Sequence, residues 1–257
     1  MPARDPNQVR VVVKTLRIME TLAQAKSSMH LGEIARTVGQ PKSSAFRILS
    51  TLKQQGYVEQ VAGTDAYGLT DRIALWTRNK IEDTLRQTAR PFLGRLLARF
   101  EETVNLAVFD SGQVRYVEIL EGLRSIRANP TVNTVAPLHC TGLGKSMLAY
   151  LPPRESRQWL EANSPLQKYT EHTMTSLRAL NNEFSRIRKQ GIAHDNEEME
   201  MGARCLAAPI FGPKGEPVAA ISISGPVSSM RGKTIQEIAQ ALKQCTRGIS
   251  VQLGYLP

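Results

Sequence analysis

The sequence of 257 residues predicts an α+β protein in two parts, a small helical unit closed by a hairpin and a larger unit of antiparallel strands with helices packed on them. Two patterns carry this prediction. Up to about residue 69, apolar residues recur at helical spacing between Gly and Pro punctuation; beyond Glu102, short β-rich runs alternate with turn residues. Charge divides the chain in the same way. Residues 1–75 hold 10 Lys/Arg against 6 Asp/Glu, residues 76–90 hold 4 against 2, and residues 91–257 hold 19 against 15.

Residues 9–24 place Val12, Leu16, Met19 and Ala23 on one helix face. Residues 31–38 form a short second helix, with His30 at its N-cap and Glu33 at the N3 position of a capping box. Gly39 ends it. Pro41 suits the start of the next helix, where no amide donor is needed. That third helix runs over about 41–55 with Ala45, Ile48, Leu49 and Leu52 inward, and Gly56 is its stop. Residues 57–69 alternate around Gly63-Thr64-Asp65 and read as a hairpin. Helix, helix, tight turn, helix, hairpin is the order of a winged helix-turn-helix. From Thr70 to Phe100 the pattern is helical again, interrupted by Pro91, which is expected to open a new helix. The domains that follow are a winged helix-turn-helix at 1–75, a linker helix rich in Arg and Lys at 76–90, and a larger domain at 91–257.

In that larger part, residues 103–109 and 113–120 are β-rich runs around Asp110-Ser111-Gly112. Helical patterns follow at about 142–151, ended by Pro152-Pro153, and at 177–190, where Leu177, Leu180, Phe184 and Ile187 keep helical spacing. Residues 204–211 and 217–224 flank Gly212-Pro213-Lys214-Gly215, strong hairpin chemistry. The last helix begins at a capping box formed by Thr234 and Glu237 and buries Ile235, Ile238, Leu242, Cys245 and Ile249.

Hydrophobic content of 41% with 22% charged residues excludes wholesale disorder. A formal charge of +10 points to a polyanionic partner, nucleic acid or an acidic membrane surface. The membrane reading lacks a basic amphipathic helix with a large aromatic-bearing apolar face. The opening Met-Pro-Ala-Arg-Asp-Pro lacks the apolar core of a signal peptide, and no apolar run approaches the roughly 20 residues of a membrane span. Cys140, Cys205 and Cys245 are too few and too scattered for a disulfide framework. A soluble cytoplasmic protein without a cofactor is expected.

A recognition helix presents its N-terminal residues to base edges in the major groove. Here these are Lys42, Ser43, Ser44 and Arg47, away from Ile48, Leu49 and Leu52. Arg47 can grip guanine in bidentate fashion, and the other three suit phosphate or base contacts. A protein-interaction domain with a solvated polar face is the plainer alternative; the wing hairpin and the basic bias favour double-stranded DNA. Residues 139–147 (HCTGLGKSM) invite two nucleotide readings and fit neither. A phosphate loop needs Gly where His139 stands, and a dinucleotide fingerprint needs Gly where Met147 stands. What remains is a Gly-bearing turn at Gly142-Leu143 feeding a helix, whose amides can hold a small anion such as a carboxylate. A tight turn packed on the sheet is the alternative. His139, Cys140, His194, Asp195 and Cys205 are metal-ligand types without metal-ligand spacing, so no metal is expected. Glu197 and Glu200 read as a solvated loop. An enzyme acting on a small acid is the rival function, and it lacks a convincing nucleophile, base or metal set.

Over residues 9 to 252 the sequence resembles the IclR family of bacterial transcription regulators. The likeness rests on LGEIARTVGQPKSSAFRILSTLKQQGYV, on the wing ending Tyr67-Gly-Leu-Thr70, on APLHCTGLGKSMLAYLP, and on Gly191-x3-Asp195-x2-Glu198-x6-Cys205-Leu206-Ala207-x2-Ile210-Phe211. One departure is Gly212, where the family usually has Asp or Asn, a change between residues that both serve tight turns. The resemblance implies a homodimer formed mainly through the DNA-binding domains, often paired into a dimer of dimers. It also implies a GAF-like effector-binding domain for a small organic-acid, aromatic or sugar-derived metabolite. It further implies an operator affinity under effector control, more often as a repressor. Matched position by position, the implied effector residues are Gly142, Leu143, Asp195, Cys205, Ser222 and Ser224. Strand alternation agrees that Ser222 and Ser224 share a face.

Overall fold

Two units divide the chain near residue 81, Met1–Ile81 and Glu82–Pro257. The computed structural model describes residues 8–25, 27–70, 72–110, 112–123 and 130–256, with the backbone alone for 73–80 and 233.

The first unit contains α1 (Arg10–Gln24), β1 (Met29–His30), α2 (Leu31–Thr37), α3 (Lys42–Gln54), β2 (Val58–Gln60) and β3 (Ala66–Leu69). Its strands form an antiparallel sheet in the order β1-β3-β2, so the expected hairpin gains a third strand. Two residues just before α2 supply that strand, too short a run to carry an alternation signal. At the α2 start, the His30 amide donates to Glu33 Oε2 at 3.0 Å, the reciprocal half of a capping box. Gly39 makes the tight turn into α3 at φ +64°, a left-handed conformation that a Cβ disfavours. Ala45, Ile48, Leu49 and Leu52 are buried as their spacing predicts, together with Ile34, Val58 and Tyr67. The face of α1 needs correction. Ile18 and Leu22 are its buried residues, whereas Val12 and Leu16 stand about half exposed. The helix carries two apolar stripes, and periodicity alone does not say which one the unit's own core takes.

α4 (Arg72–Phe100) runs from the first unit into the second without a break, and Pro91 lies inside it. The expected new helix at Pro91 does not form. Pro91 itself is exposed, while Ala89 and Leu93 on either side are fully buried in the same core cluster. Packing of Leu85 and Ala89 before it and of Leu93 and Leu96 after it in one core outweighs the roughly 3 kcal/mol that proline costs in a helix interior.

The sheet of the second unit contains β4 (Thr103–Asp110), β5 (Gln113–Leu120), β6 (Val135–Ala136), β7 (Ala193–Asn196), β8 (Ala203–Phe211) and β9 (Pro217–Pro226). All neighbours are antiparallel, in the order β6-β5-β4-β9-β8-β7. One face buries Leu206, Ala208, Ile210, Ala219, Ile221 and Ile223 against α4 and against α8 (Lys233–Gln252). The alternate positions Ala207 and Ala220 face α5 (Gly142–Leu148) and α7 (Leu177–Gln190). The helix expected at 142–151 is thus shorter, and α6 (Pro153–Ala162), with proline in its first turn, follows where only a stop was expected. α8 begins at Lys233 after Gly232, which takes the N-cap position with no side-chain cap bond, so the box at Thr234 does not form the helix start. Ser111, within the expected turn between β4 and β5, lies outside the described residues.

Candidate functional site

Each unit holds a candidate site among its described residues. In the first, Ser43, Ser44 and Arg47 of α3 border a cleft of about 590 Å³ with Arg10, Val11, Lys14 and Thr15 of α1. Lys42 goes elsewhere: its exposed side chain lies along α2, where a Cβ on Gly32 would stand 3.5 Å from Lys42 Cε. The sequence reading missed Arg10 and Lys14. Their i, i+4 spacing continues the buried stripe of Ile18 toward the helix start, where the core gives way to solvent. Lys53 Nζ donates to Gln60 Oε1 at 3.1 Å and ties α3 to the wing.

In the second unit a cavity of about 470 Å³ gathers all six expected residues: Gly142, Leu143, Asp195, Cys205, Ser222 and Ser224. Sheet register explains why residues so distant in sequence meet. Thr103 pairs with Ser224, Ser224 with Cys205, and Cys205 with Asp195, one row across four strands. In the adjoining row Asn105 pairs with Ser222, and its Nδ2 donates to Ser222 Oγ at 3.2 Å and to Ser224 Oγ at 3.3 Å. Asn105 Oδ1 is buried without a partner. Gly142 is the point of close approach to the sheet, because a Cβ there would fall 3.2 Å from Cys205 Sγ. Thr141 Oγ1 accepts from the Gly144 amide at 3.1 Å and holds the turn onto α5. Burial pushes Cys205 up to about 11 and Cys140 up to about 12, so both stay thiols near neutral pH.

Behind the cavity lies a charged group. Lys145, fully buried on α5, forms an ion pair with Glu198, whose Oε2 has no partner. Asp195 Oδ1 accepts from the amides of Glu198 at 2.8 Å and Met199 at 3.4 Å. Burial raises Asp195 to about 6, against the pull of those amides and of the Lys145 ammonium. Burial likewise lifts Glu198 to about 7 despite Lys145. Of the two glutamates expected in solvent, Glu197 accepts from the Gly202 amide at 2.7 Å and Glu200 lines the cavity. A carboxyl whose folded pKa exceeds its unfolded value binds its proton more tightly when folded. Its contribution is therefore fully present below the unfolded value near 4 and is lost as pH rises through 6. Asp195→Asn keeps the acceptor and removes the charge. Its thermal stability relative to the native chain is expected to grow from pH 4 to pH 6 and then stay level; parallel melting curves across that range would contradict the assignment.

Among the described residues, no group of three or more His, Cys, Asp or Glu side chains is placed to hold a metal ion, and no helix is long and apolar enough to cross a membrane. Residues 81–251 match the family described as “Bacterial transcriptional regulator IclR C-terminal”, and residues 11–62 match “IclR helix-turn-helix domain”. The chain belongs to the IclR family. It is 30% identical over 250 residues to the transcriptional repressor IclR of Escherichia coli (strain K12), covering 96% of this chain and 91% of that protein. The crystal structure of Thermotoga maritima IclR matches with a TM-score of 0.66 at 30% identity, over 96% of this chain and all of that one. The fold is also shared, with a TM-score of 0.62 at 24% identity over 95% of this chain and 98% of that one, by an IclR homologue from Microbacterium hydrocarbonoxydans complexed with 4-hydroxybenzoate. This IclR-family chain is a DNA-binding transcriptional regulator, and the enzyme alternative is set aside.

One further cluster in this IclR-family protein escaped the sequence reading. Arg115 of β5 donates from Nε to Asp110 Oδ2 at 2.8 Å and from Nη1 to Asn133 Oδ1 at 3.3 Å, and it pairs with Glu82 of α4. Asn133 sits between Thr131 and Thr134, which line the cavity. A single guanidinium thus joins the helix to the cavity wall. Pairs separated by 18 and 33 residues leave no spacing signal in a sequence.

Proposed function

We propose that this regulator is a repressor whose operator affinity is set by a small metabolite bound in the cavity of the larger unit. Lys42, Ser43, Ser44 and Arg47 contact double-stranded operator DNA. Gly142, Leu143, Asp195, Cys205, Ser222 and Ser224 hold the effector. The observation that carries the effector reading is the row of polar groups facing a cavity of about 470 Å³, within the range that small ligands fill. Its chemistry suits a small organic acid, aromatic or sugar-derived. The hydroxyls of Tyr116, Ser222 and Ser224 supply donors, and Asp195, raised to about 6, can take a proton and donate to a carboxylate. The 4-hydroxybenzoate of the Microbacterium homologue is a ligand of that class, and the name of the Escherichia coli relative supports repression.

The chain acts as a homodimer or a dimer of dimers, and the exposed Val12 and Leu16 on α1, with Val9 just before it, suit such an interface. The linker proposed at 76–90 between domains of 1–75 and 91–257 lies within α4 and gives the effector its route. A ligand alters operator binding only through unequal affinity for two arrangements of the protein, and the Glu82–Arg115–Asn133 chain is the physical link from cavity to helix. A thermal-shift screen with small organic and sugar acids, 4-hydroxybenzoate included, tests the reading. Ser222→Leu and Cys205→Leu fill the cavity and are expected to abolish the ligand-induced shift while leaving operator binding intact. A shift that survives both variants would put the ligand elsewhere.

A further inference from the structure

Phe46 stands on α3 between Ala45, which is buried in the core, and Arg47, which borders the cleft with α1. It is 51% exposed, and it is neither in the core of the first unit nor packed against it. The other aromatics near that core, Tyr57 and Tyr67, both pack on it. Of the helical neighbours of Phe46, Lys42, Ser43 and Ser50 are exposed, and Leu49 alone is buried in the core. The fold therefore gains little from a large apolar ring set among polar side chains. Such a ring does have a counterpart in the major groove, where the C5 methyl of thymine is the apolar group that base edges present.

We infer that Phe46 is a specificity-determining residue that packs its ring on a thymine methyl and so reads a T·A pair in each half-site. The inference rests on α3 being the helix that meets the operator. Ser43 and Arg47 offer hydrogen bonds to base edges, which detect donors and acceptors. Phe46 adds a group that detects a methyl, and so separates thymine from cytosine where hydrogen bonding alone is ambiguous.

The test uses the full chain and a duplex selected from a random pool by binding to it. Each thymine is replaced singly by uracil, which removes the methyl and leaves every hydrogen-bonding group. At either of one symmetry-related pair of positions, uracil is expected to weaken binding of the native chain by about fourfold. Phe46→Ala is expected to bind the thymine and uracil duplexes equally there and to keep the native response everywhere else. Phe46→Leu, which retains apolar surface, keeps part of the discrimination. Circular dichroism melts of both variants are expected to match the native chain, as befits a half-exposed side chain. The inference is overturned if no uracil penalty depends on residue 46, or if Phe46→Ala dissociates the protein into protomers, which would make the ring an interface between copies. Arg47→Ala in the same assay separates the two readings. Weaker binding by that variant with no uracil penalty tied to residue 46 defeats the role of Phe46 alone, whereas native binding by both Arg47→Ala and Phe46→Ala defeats the role of α3.

Discussion

Replacing Lys145 by methionine is expected to cost the larger unit about 3–5 kcal/mol, the range seen when one member of a buried ion pair is removed. Lys145 is fully buried, and its partner Glu198 already carries one oxygen without a hydrogen bond. Without the ammonium, the carboxylate faces Asp195 with no counter-charge and must take up a proton to stay inside. The loss is therefore expected to be larger at pH 8 than at pH 5, because Glu198, already raised to about 7, is mostly neutral at the lower pH. The effect reaches the cavity. Lys145 lies on the helix that follows the Gly142 turn, and Glu198 lies in the loop whose amides hold Asp195. The double variant Lys145→Met/Glu198→Leu is expected to recover most of the loss, since an apolar pair of similar volume removes the charge problem altogether. Urea denaturation at the two pH values checks this; a single variant within about 1 kcal/mol of the native chain at pH 8 would show that the pair does not hold the fold.

Arg47→Ala is expected to weaken operator binding by about five- to over a hundredfold, the worth of a bidentate arginine–guanine contact, and to relax selectivity at one base pair of each half-site. Lys14→Ala and Lys42→Ala provide the contrast. Side chains that touch phosphate lose affinity evenly across sequences, and each such loss lowers the salt dependence by about one unit of slope. Fluorescence anisotropy at several salt concentrations separates the two behaviours. An isotherm for Arg47→Ala that overlays the native one would remove Arg47 from the reading face.

What the sequence made legible was local. Gly39 and Pro41 bracket a turn whose chemistry admits few alternatives, and the stripes of α3 and α7 bury the residues their spacing predicts. Pro91 misled because a local preference worth about 3 kcal/mol lost to packing on both sides of it. The stripe of α1 misled because amphipathicity marks an apolar face without naming what covers it. At the cavity, the family resemblance named Ser222 and Ser224 and strand alternation agreed that they share a face, while Asp195 and Cys205 came only from the family pattern of gaps. Register supplies the reason for those gaps, since the two residues sit opposite each other on β7 and β8. Lys145 stood in a failed phosphate-loop pattern and proved to be an internal counter-charge. Arg115 was invisible, because its partners come from three separate stretches of chain.

The pairing of β4 with β9 also sets an order of events during synthesis. Asn105 and Ser222, bonded across the cavity floor, are 117 residues apart, so the floor closes only after most of the chain has emerged. The unit that holds Arg47 draws its helices and wing from the first 69 residues and can fold while the rest is still being made. Each newly made molecule thus finishes α3 long before the cavity of the larger unit exists.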